Sequence, residues 1–360
     1  MSVSKDEFLE KIIGYSDSNF SISLTQEMIK NIEFNNKQIL IDIEIGFPVE
    51  SKHSDIQREI VSFAEGLFDD KEIIVDIKTN IFAHLTQVGT QLIPGVKNVI
   101  AIASGKGGVG KSTTTVNLAL ALSSEGANVG ILDADIYGPS IPTMLGINDK
   151  PESIDGKSFV PLKRYNIQAN SIGFLIPKDQ AMVWRGPMVT QALEQLLRQT
   201  AWENLDYLLI DLPPGTGDIH LTLAQKVPIT GAIIITTPQE ISILDARKGL
   251  KMFEKVSVPI LGVIENMGVY VCPKCGNEDS VFGDGGGLKL CHENSTHFFG
   301  SIPLNTNMRE DLDSGNPTVI SNPKGPVSQA FFRMATELGI EVANMKKNMS
   351  GKFPKIVVKK

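Results

Sequence analysis

The apolar positions change rhythm near residue 95. Before that point the periods are mixed. Phe8-Leu9 and Ile12-Ile13 start a short helix, and Ser54 to Phe68 spaces Ile56, Ile60, Phe63 and Leu67 close to the 3.6-residue helical period. Between them, Lys37 to Ile45 alternates as Gln38-Ile39-Leu40-Ile41-Asp42-Ile43-Glu44-Ile45, which predicts a half-buried strand. Glu72 to Ile81 reads as a second strand. Residues 1–92 are therefore expected to form a small α+β domain with a mixed sheet and two helices. Thr86 to Pro94, with Gly89 and Pro94, reads as the linker.

From residue 96 short apolar runs alternate with helical patterns. Strands are predicted at 97–103, 129–133, 166–173, 207–212, 231–237, 259–264 and 298–302. Helices are predicted at 112–123, 187–200, 218–226, 241–255 and 326–343. Short, β-branched strands between helices imply an α/β fold, a mostly parallel sheet covered by helices on both faces. Ligands then bind at the carboxyl ends of the strands. This second domain is expected over 93–345, followed by a basic tail at 346–360. No internal repeat or low-complexity segment stands out.

Composition narrows the class. At 360 residues the length suggests two domains, and 42% hydrophobic with 21% charged content is enough to build a large core. A net charge of −7, with no basic cluster interleaved with aromatics, argues against a nucleic-acid-coating surface. The opening Met-Ser-Val-Ser-Lys-Asp-Glu lacks the apolar core of a signal peptide. Nothing approaches the roughly 18 uninterrupted apolar residues of a membrane span. Three cysteines make no disulfide framework. The expectation is a cytoplasmic protein with neither membrane nor nucleic acid as partner.

The chemistry starts at Gly105-Lys106-Gly107-Gly108-Val109-Gly110-Lys111-Ser112, between an apolar strand and a helix. Glycines let backbone N–H groups curl round a phosphate chain, and the helix N-terminus adds partial positive charge. Lys111 is placed to meet the β- and γ-phosphates, and the Ser112 hydroxyl to join a Mg²⁺ shell. The strand at 129–133 ends in Asp133-Ala134-Asp135, two carboxylates expected to project to one side. Leu208-Leu209-Ile210-Asp211 ends another strand in a carboxylate that suits Mg²⁺ support. The stiff turn Leu212 to Asp218 follows, able to sense a γ-phosphate through its backbone. Together these predict hydrolysis of ATP or GTP.

Cys272-Pro273-Lys274-Cys275-Gly276 is half of a soft-metal site. It can meet its twin across a two-fold axis around one iron–sulfur cluster, or close a zinc knuckle within the chain using Cys291 and His292 or His297. A redox dithiol and an unliganded surface pair are the remaining readings.

The chain resembles the Mrp-type iron–sulfur cluster carrier proteins, within the deviant-loop P-loop ATPases. The matching segments are Ser104 to Ser112, Asp133-Ala-Asp-Ile-Tyr-Gly-Pro-Ser140, Trp184-Arg-Gly-Pro-Met188 and Asp211 to Asp218. Glu265-Asn-Met267, Cys272 to Gly276 and Phe282-Gly-Asp-Gly-Gly-Gly287 complete them. The resemblance implies a homodimer that binds and slowly hydrolyses ATP with Mg²⁺, and carries a labile 4Fe–4S cluster on paired Cys272 and Cys275. The cluster would come from donor scaffolds and pass to recipient apo-proteins. Lys106 would reach the partner's nucleotide, Asp135 would position the attacking water, and Asn266 would contact the adenine. Residues 1–92 resemble the small domain often fused ahead of this ATPase. They differ from it at Gly14-Tyr-Ser-Asp17 and at Phe47-Pro48, where that domain usually has Asp-Pro and Cys-Pro. The rival classes are a positioning ATPase and a structural zinc protein with a regulatory ATPase. Gly351 and Pro354 interrupt the tail, against the basic amphipathic helix that a membrane-bound positioning ATPase uses.

Overall fold

The computed structural model describes residues 5–13, 16–17, 22–67, 71–87, 89–153, 155–176, 186–215, 217–272 and 274–348. Trp184-Arg185, Thr216, Pro273 and the tail beyond 348 fall outside the described residues. The chain forms two compact units.

The first unit comprises residues up to Ile81 with 124–126. It contains α1 (Lys5–Ile12), β1 (Ser16–Asp17), β2 (Ile22–Ser23), β3 (Ile29–Phe34), β4 (Gln38–Ile45), α2 (His53–Glu65) and β5 (Glu72–Thr79). The alternation predicted for β4 holds: Ile39, Ile41, Ile43 and Ile45 are buried and the residues between them are not. β3 pairs with it antiparallel and β5 parallel, so α2 serves as the crossover between parallel neighbours. Ile56, Ile60 and Ala64 form its buried face. The strand β3 was not legible as a run, because Lys30, Asn31 and Glu33 break up its apolar residues.

The second unit carries the sheet of nine described strands. They are β6 (Val96–Ser104), β7 (Val129–Asp133), β8 (Leu162–Arg164), β9 (Ile167–Ser171), β10 (Leu205–Asp211), β11 (Gly231–Thr236), β12 (Ile260–Val271), β13 (Glu278–Asp279) and β14 (Phe298–Leu304). Their order is β13-β12-β11-β6-β10-β7-β9-β8, with β14 also on β12. All pairings are parallel except β8 with β9 and β13 with β12. The helices are α3 (Lys111–Ser124), α4 (Ile141–Met144), α5 (Gly186–Gln199), α6 (Asp218–Lys226), α7 (Glu240–Lys255), α8 (Gly286–Asn294), α9 (Thr306–Asp313), α10 (Thr318–Ser321) and α11 (Pro326–Ala343). The α/β expectation holds, with two antiparallel edge strands added.

Strands β7, β9, β10 and β11 are buried at every residue, as a doubly covered parallel sheet requires. Helix α3 is buried from Thr114 through Leu122, on all its faces rather than along one stripe. Three adjacent strands, β6, β10 and β7, end side by side: Asp211 sits in register with Asp133 on one flank and Ile102 on the other. This alignment brings the phosphate loop and both acidic strand ends to one edge. Among the described residues no helix is long and apolar enough to cross a membrane.

Candidate functional site

Residues 105–110 leave β6 and turn into α3, as the glycine spacing requires. Gly110 has φ +81°, and a Cβ there would lie 2.1 Å from Asn266 Nδ2. Only glycine meets both demands. Lys111 is 6% exposed, and its Nζ lies 2.7 Å from Asp211 Oδ1. Ser112 Oγ donates to Asp211 Oδ2 at 2.5 Å, and Thr115 Oγ1 donates to Asp211 Oδ1 at 2.8 Å. Asp211 is fully buried, so one lysine and two hydroxyls balance its charge. A serine hydroxyl against a carboxylate at the phosphate end of the loop is the all-oxygen donor set that Mg²⁺ prefers.

The loop opens onto a cleft of 200 Å³ lined by Lys106, Gly107, Gly108, Lys111, Ser112 and Asp135, among others. Lys106 is exposed at its rim. Gly105 lies against the backbone of Asp245, where a Cβ would meet it at 2.3 Å. Beside this cleft a second one of 680 Å³ is bounded by Asp135, Tyr137, Pro213, Pro214 and His220.

The two acids of Asp133-Ala134-Asp135 separate instead of projecting together. The strand ends at Asp133, so its alternation does not extend to residue 135. Asp133 is fully buried and accepts from the Asp135 amide at 3.1 Å, the Ile141 amide at 3.3 Å and Ser171 Oγ at 3.0 Å. Burial first, then the neighbouring Asp211, pushes its carboxyl up to about 7, against the pull of Lys111 and of its hydrogen bonds. Asp135 instead lines both clefts. Burial raises it too, opposed mainly by Lys111 and the Gly138 amide.

The turn after Asp211 is tied to the phosphate loop, because the Gly215 amide donates to Ser104 O at 2.9 Å. His220, which the sequence reading passed over, is buried on α6 with Nε2 against the Pro213 carbonyl. Burial lowers its pKa, so the neutral ring holds that carbonyl. Its signal was a histidine between Ile219 and Leu221 just after the turn. Asn266 is buried, and its Nδ2 donates to Val109 O at 2.9 Å.

Cys272 and Cys275 sit at the tip of a hairpin made by β12 and β13, which pair at Val271 with Glu278. The Cys272 amide donates to Asn277 O and the Gly276 amide to Cys272 O, each at 2.9 Å. Gly276 supplies the positive φ, +72°, that closes the turn. Cys275 is exposed and Cys272 half-buried. The backbone N–H of Lys274, then that of Cys275 and its thiol, hold the Cys272 thiol below its ordinary range. Cys291 lies elsewhere, in the core on α8, its Sγ 3.4 Å from His297 O. Burial pushes its thiol up to about 11. His297 Nε2 meets Glu337 at 3.0 Å. Among the described residues no group of three or more His, Cys, Asp and Glu is placed to hold a metal ion. The intrachain knuckle with Cys291 is thus not assembled.

A phosphate loop at a parallel strand end, with its lysine on a buried acid at a neighbouring one, defines a P-loop NTPase. Residues 95–339 match the family described as "ParA: NUBPL iron-transfer P-loop NTPase", and the chain belongs to that family. It is 48% identical over 316 residues to the iron-sulfur cluster carrier protein of Haemophilus influenzae, covering 87% of this chain and 85% of that one. It is likewise 48% identical over 248 residues to the iron-sulfur cluster transfer protein NUBPL of Mus musculus, covering 68% and 78%. Among solved structures, a nucleotide-binding protein in complex with ADP from Archaeoglobus fulgidus aligns with a TM-score of 0.57. The identity is 37%, over 66% of this chain and 93% of that one. Family membership supports ATP binding and hydrolysis and close kinship with iron–sulfur cluster carriers.

Proposed function

We propose that this chain binds and hydrolyses ATP with Mg²⁺, and carries a labile 4Fe–4S cluster as cargo on Cys272 and Cys275 of two copies, passing it to apo-proteins. The observation that carries the reading is the pairing, on one sheet, of a charge-balanced phosphate loop with an exposed two-thiol hairpin.

The loop amides from Gly105 to Gly110 cradle the phosphates, and Lys111 leaves Asp211 to meet the β- and γ-phosphates. Ser112 and Asp211 supply oxygen to Mg²⁺, which neutralises charge on the phosphates when bound. Asp135, at the junction of the two clefts, orients the attacking water. Lys106, exposed on the rim, reaches the nucleotide of a second copy and offsets charge that develops as the bond breaks. Two thiolates per chain are half of a four-thiolate cluster cage, so the cargo site is completed by the second copy. The motif pattern and the small leading domain fit the Mrp type of carrier.

Anaerobic reconstitution with iron and sulfide tests this. Broad visible absorbance with about two irons and two acid-labile sulfides per chain is expected. Cys272→Ala abolishes it, and Cys291→Ala retains it. About one zinc per chain without sulfide would overturn the reading.

A further inference from the structure

Strand β12 meets the phosphate loop at Asn266 and Met267 and reaches the cysteine turn at Cys272. At the loop, Asn266 Nδ2 holds the Val109 carbonyl at 2.9 Å. That carbonyl belongs to the same rigid peptide as the Gly110 N–H, so its direction fixes where this loop donor points. The amide's other end is also engaged: Asn266 Oδ1 accepts the Met267 amide at 3.0 Å.

The next residue is conformationally unusual. Met267 has φ +59°, a left-handed backbone that a non-glycine residue keeps only when its surroundings enforce it. The pairing with β14 slips at the same place. Asn266 faces Ile302 and Tyr270 faces Leu304, so four steps on β12 match two on β14. Such a bulge re-aims the strand beyond it. One residue earlier, Glu265 Oε2 anchors the strand by accepting the Gly287 amide at 2.7 Å. At the bulge itself Gly268 leaves no slack, since a Cβ there would lie 1.9 Å from Ser301 Oγ. The strand is thus held at 265 and 266, bent at 267, paired again with β14 at Tyr270, and continued into the cysteine turn, which is closed by its own backbone.

We propose that Asn266 and Met267 form a joint that makes the exposure and geometry of Cys272 and Cys275 depend on what the phosphate loop holds. Phosphates that turn the Val109–Gly110 peptide must move the Asn266 amide, and the bulge converts that into a change of direction of the hairpin. Asn266 is then a positioning residue for the cysteines. The inference rests on the reading of the chain as an ATP-driven cluster carrier.

The test uses the full-length, reduced, cluster-free protein. Alkylation of Cys272 and Cys275 by N-ethylmaleimide is followed by mass spectrometry with and without ATP and Mg²⁺, with buried Cys291 as internal reference. In the wild type, ATP is expected to change the alkylation rate by about fivefold or more. Met267→Gly, which relieves the left-handed backbone and loosens the bend, is expected to shrink that ratio below about twofold while a fluorescent ATP analogue still binds. Asn266→Ala is expected to do the same by freeing the Val109 carbonyl. A wild-type rate indifferent to ATP overturns the proposal. So does a wild-type ratio in either variant that binds the analogue. If Asn266→Ala fails to bind it, Met267→Gly decides. Cluster formation is measured separately. A chain that binds cluster but shows no ATP effect loses the joint and keeps the carrier function, and the reverse result does the opposite.

Discussion

The phosphate loop and the cysteine hairpin lie on one sheet and are built in opposite ways. At the loop, Lys111 and Asp211 are almost wholly shielded and pair with each other. At the hairpin, two thiols stand near solvent on a turn held by its own backbone. The difference fits the two ligands of the proposed function. A highly charged ligand needs opposing charges fixed in advance, because water would otherwise screen them. A soft cluster that must be handed on needs thiolates a recipient can approach.

The comparison can be broken most severely at Lys111. Lys111→Ala should slow ATP hydrolysis by about 10²–10³-fold, as loss of a preorganised charge does. It also leaves Asp211 buried without its lysine, an expected loss of about 3–5 kcal/mol in denaturant unfolding. Asp135→Asn should follow, with a hydrolysis rate about 10²-fold lower in steady-state assays. Unfolding stability should suffer less than in Lys111→Ala, because Asp135 lines the clefts and is not part of the ion pair.

The smallest effect sharpens the contrast by pH. The carboxyl of Asp133 sits at about 7 in the folded chain, above its ordinary 3.8. The folded state therefore holds the extra proton between those values. The stabilising contribution is complete below about pH 4 and is lost as pH rises through 7. From pH 5 to pH 6 the loss approaches about 1.4 kcal/mol, or about 2–4 °C in Tm for a unit of this size, and it levels off above about pH 7. Asp133→Asn should flatten that part of the Tm profile of the nucleotide-free protein. An unchanged slope would remove Asp133 as its cause.

Much of this was legible because sheet and loop obey local rules. The run Val99 to Ser104 followed by spaced glycines has few alternative readings, and β6 with α3 formed there. The Cys-x-x-Cys turn was equally plain. What escaped depended on contacts between distant residues. Asn266 reads as a polar residue at a strand end, and its acceptor lies 157 residues away. The strand was expected to stop at 264, yet it runs to Val271, because a left-handed Met267 and a bulge carry it past polar residues. Asp133 and Asp135 look alike in sequence, and only the end of β7 decides which is buried. His220 gave little warning beyond its place between Ile219 and Leu221.

The resting pair of Lys111 and Asp211 has a consequence for how substrate arrives. On the proposed function, entry of a triphosphate would be an exchange of partners: the lysine would leave the carboxylate for phosphate oxygens, and a divalent cation would take its place beside Asp211. A nucleotide presented without its metal would strand Asp211 in the interior with two hydroxyls for company. On the proposed function, this buried ion pair favours metal-bound over free nucleotide.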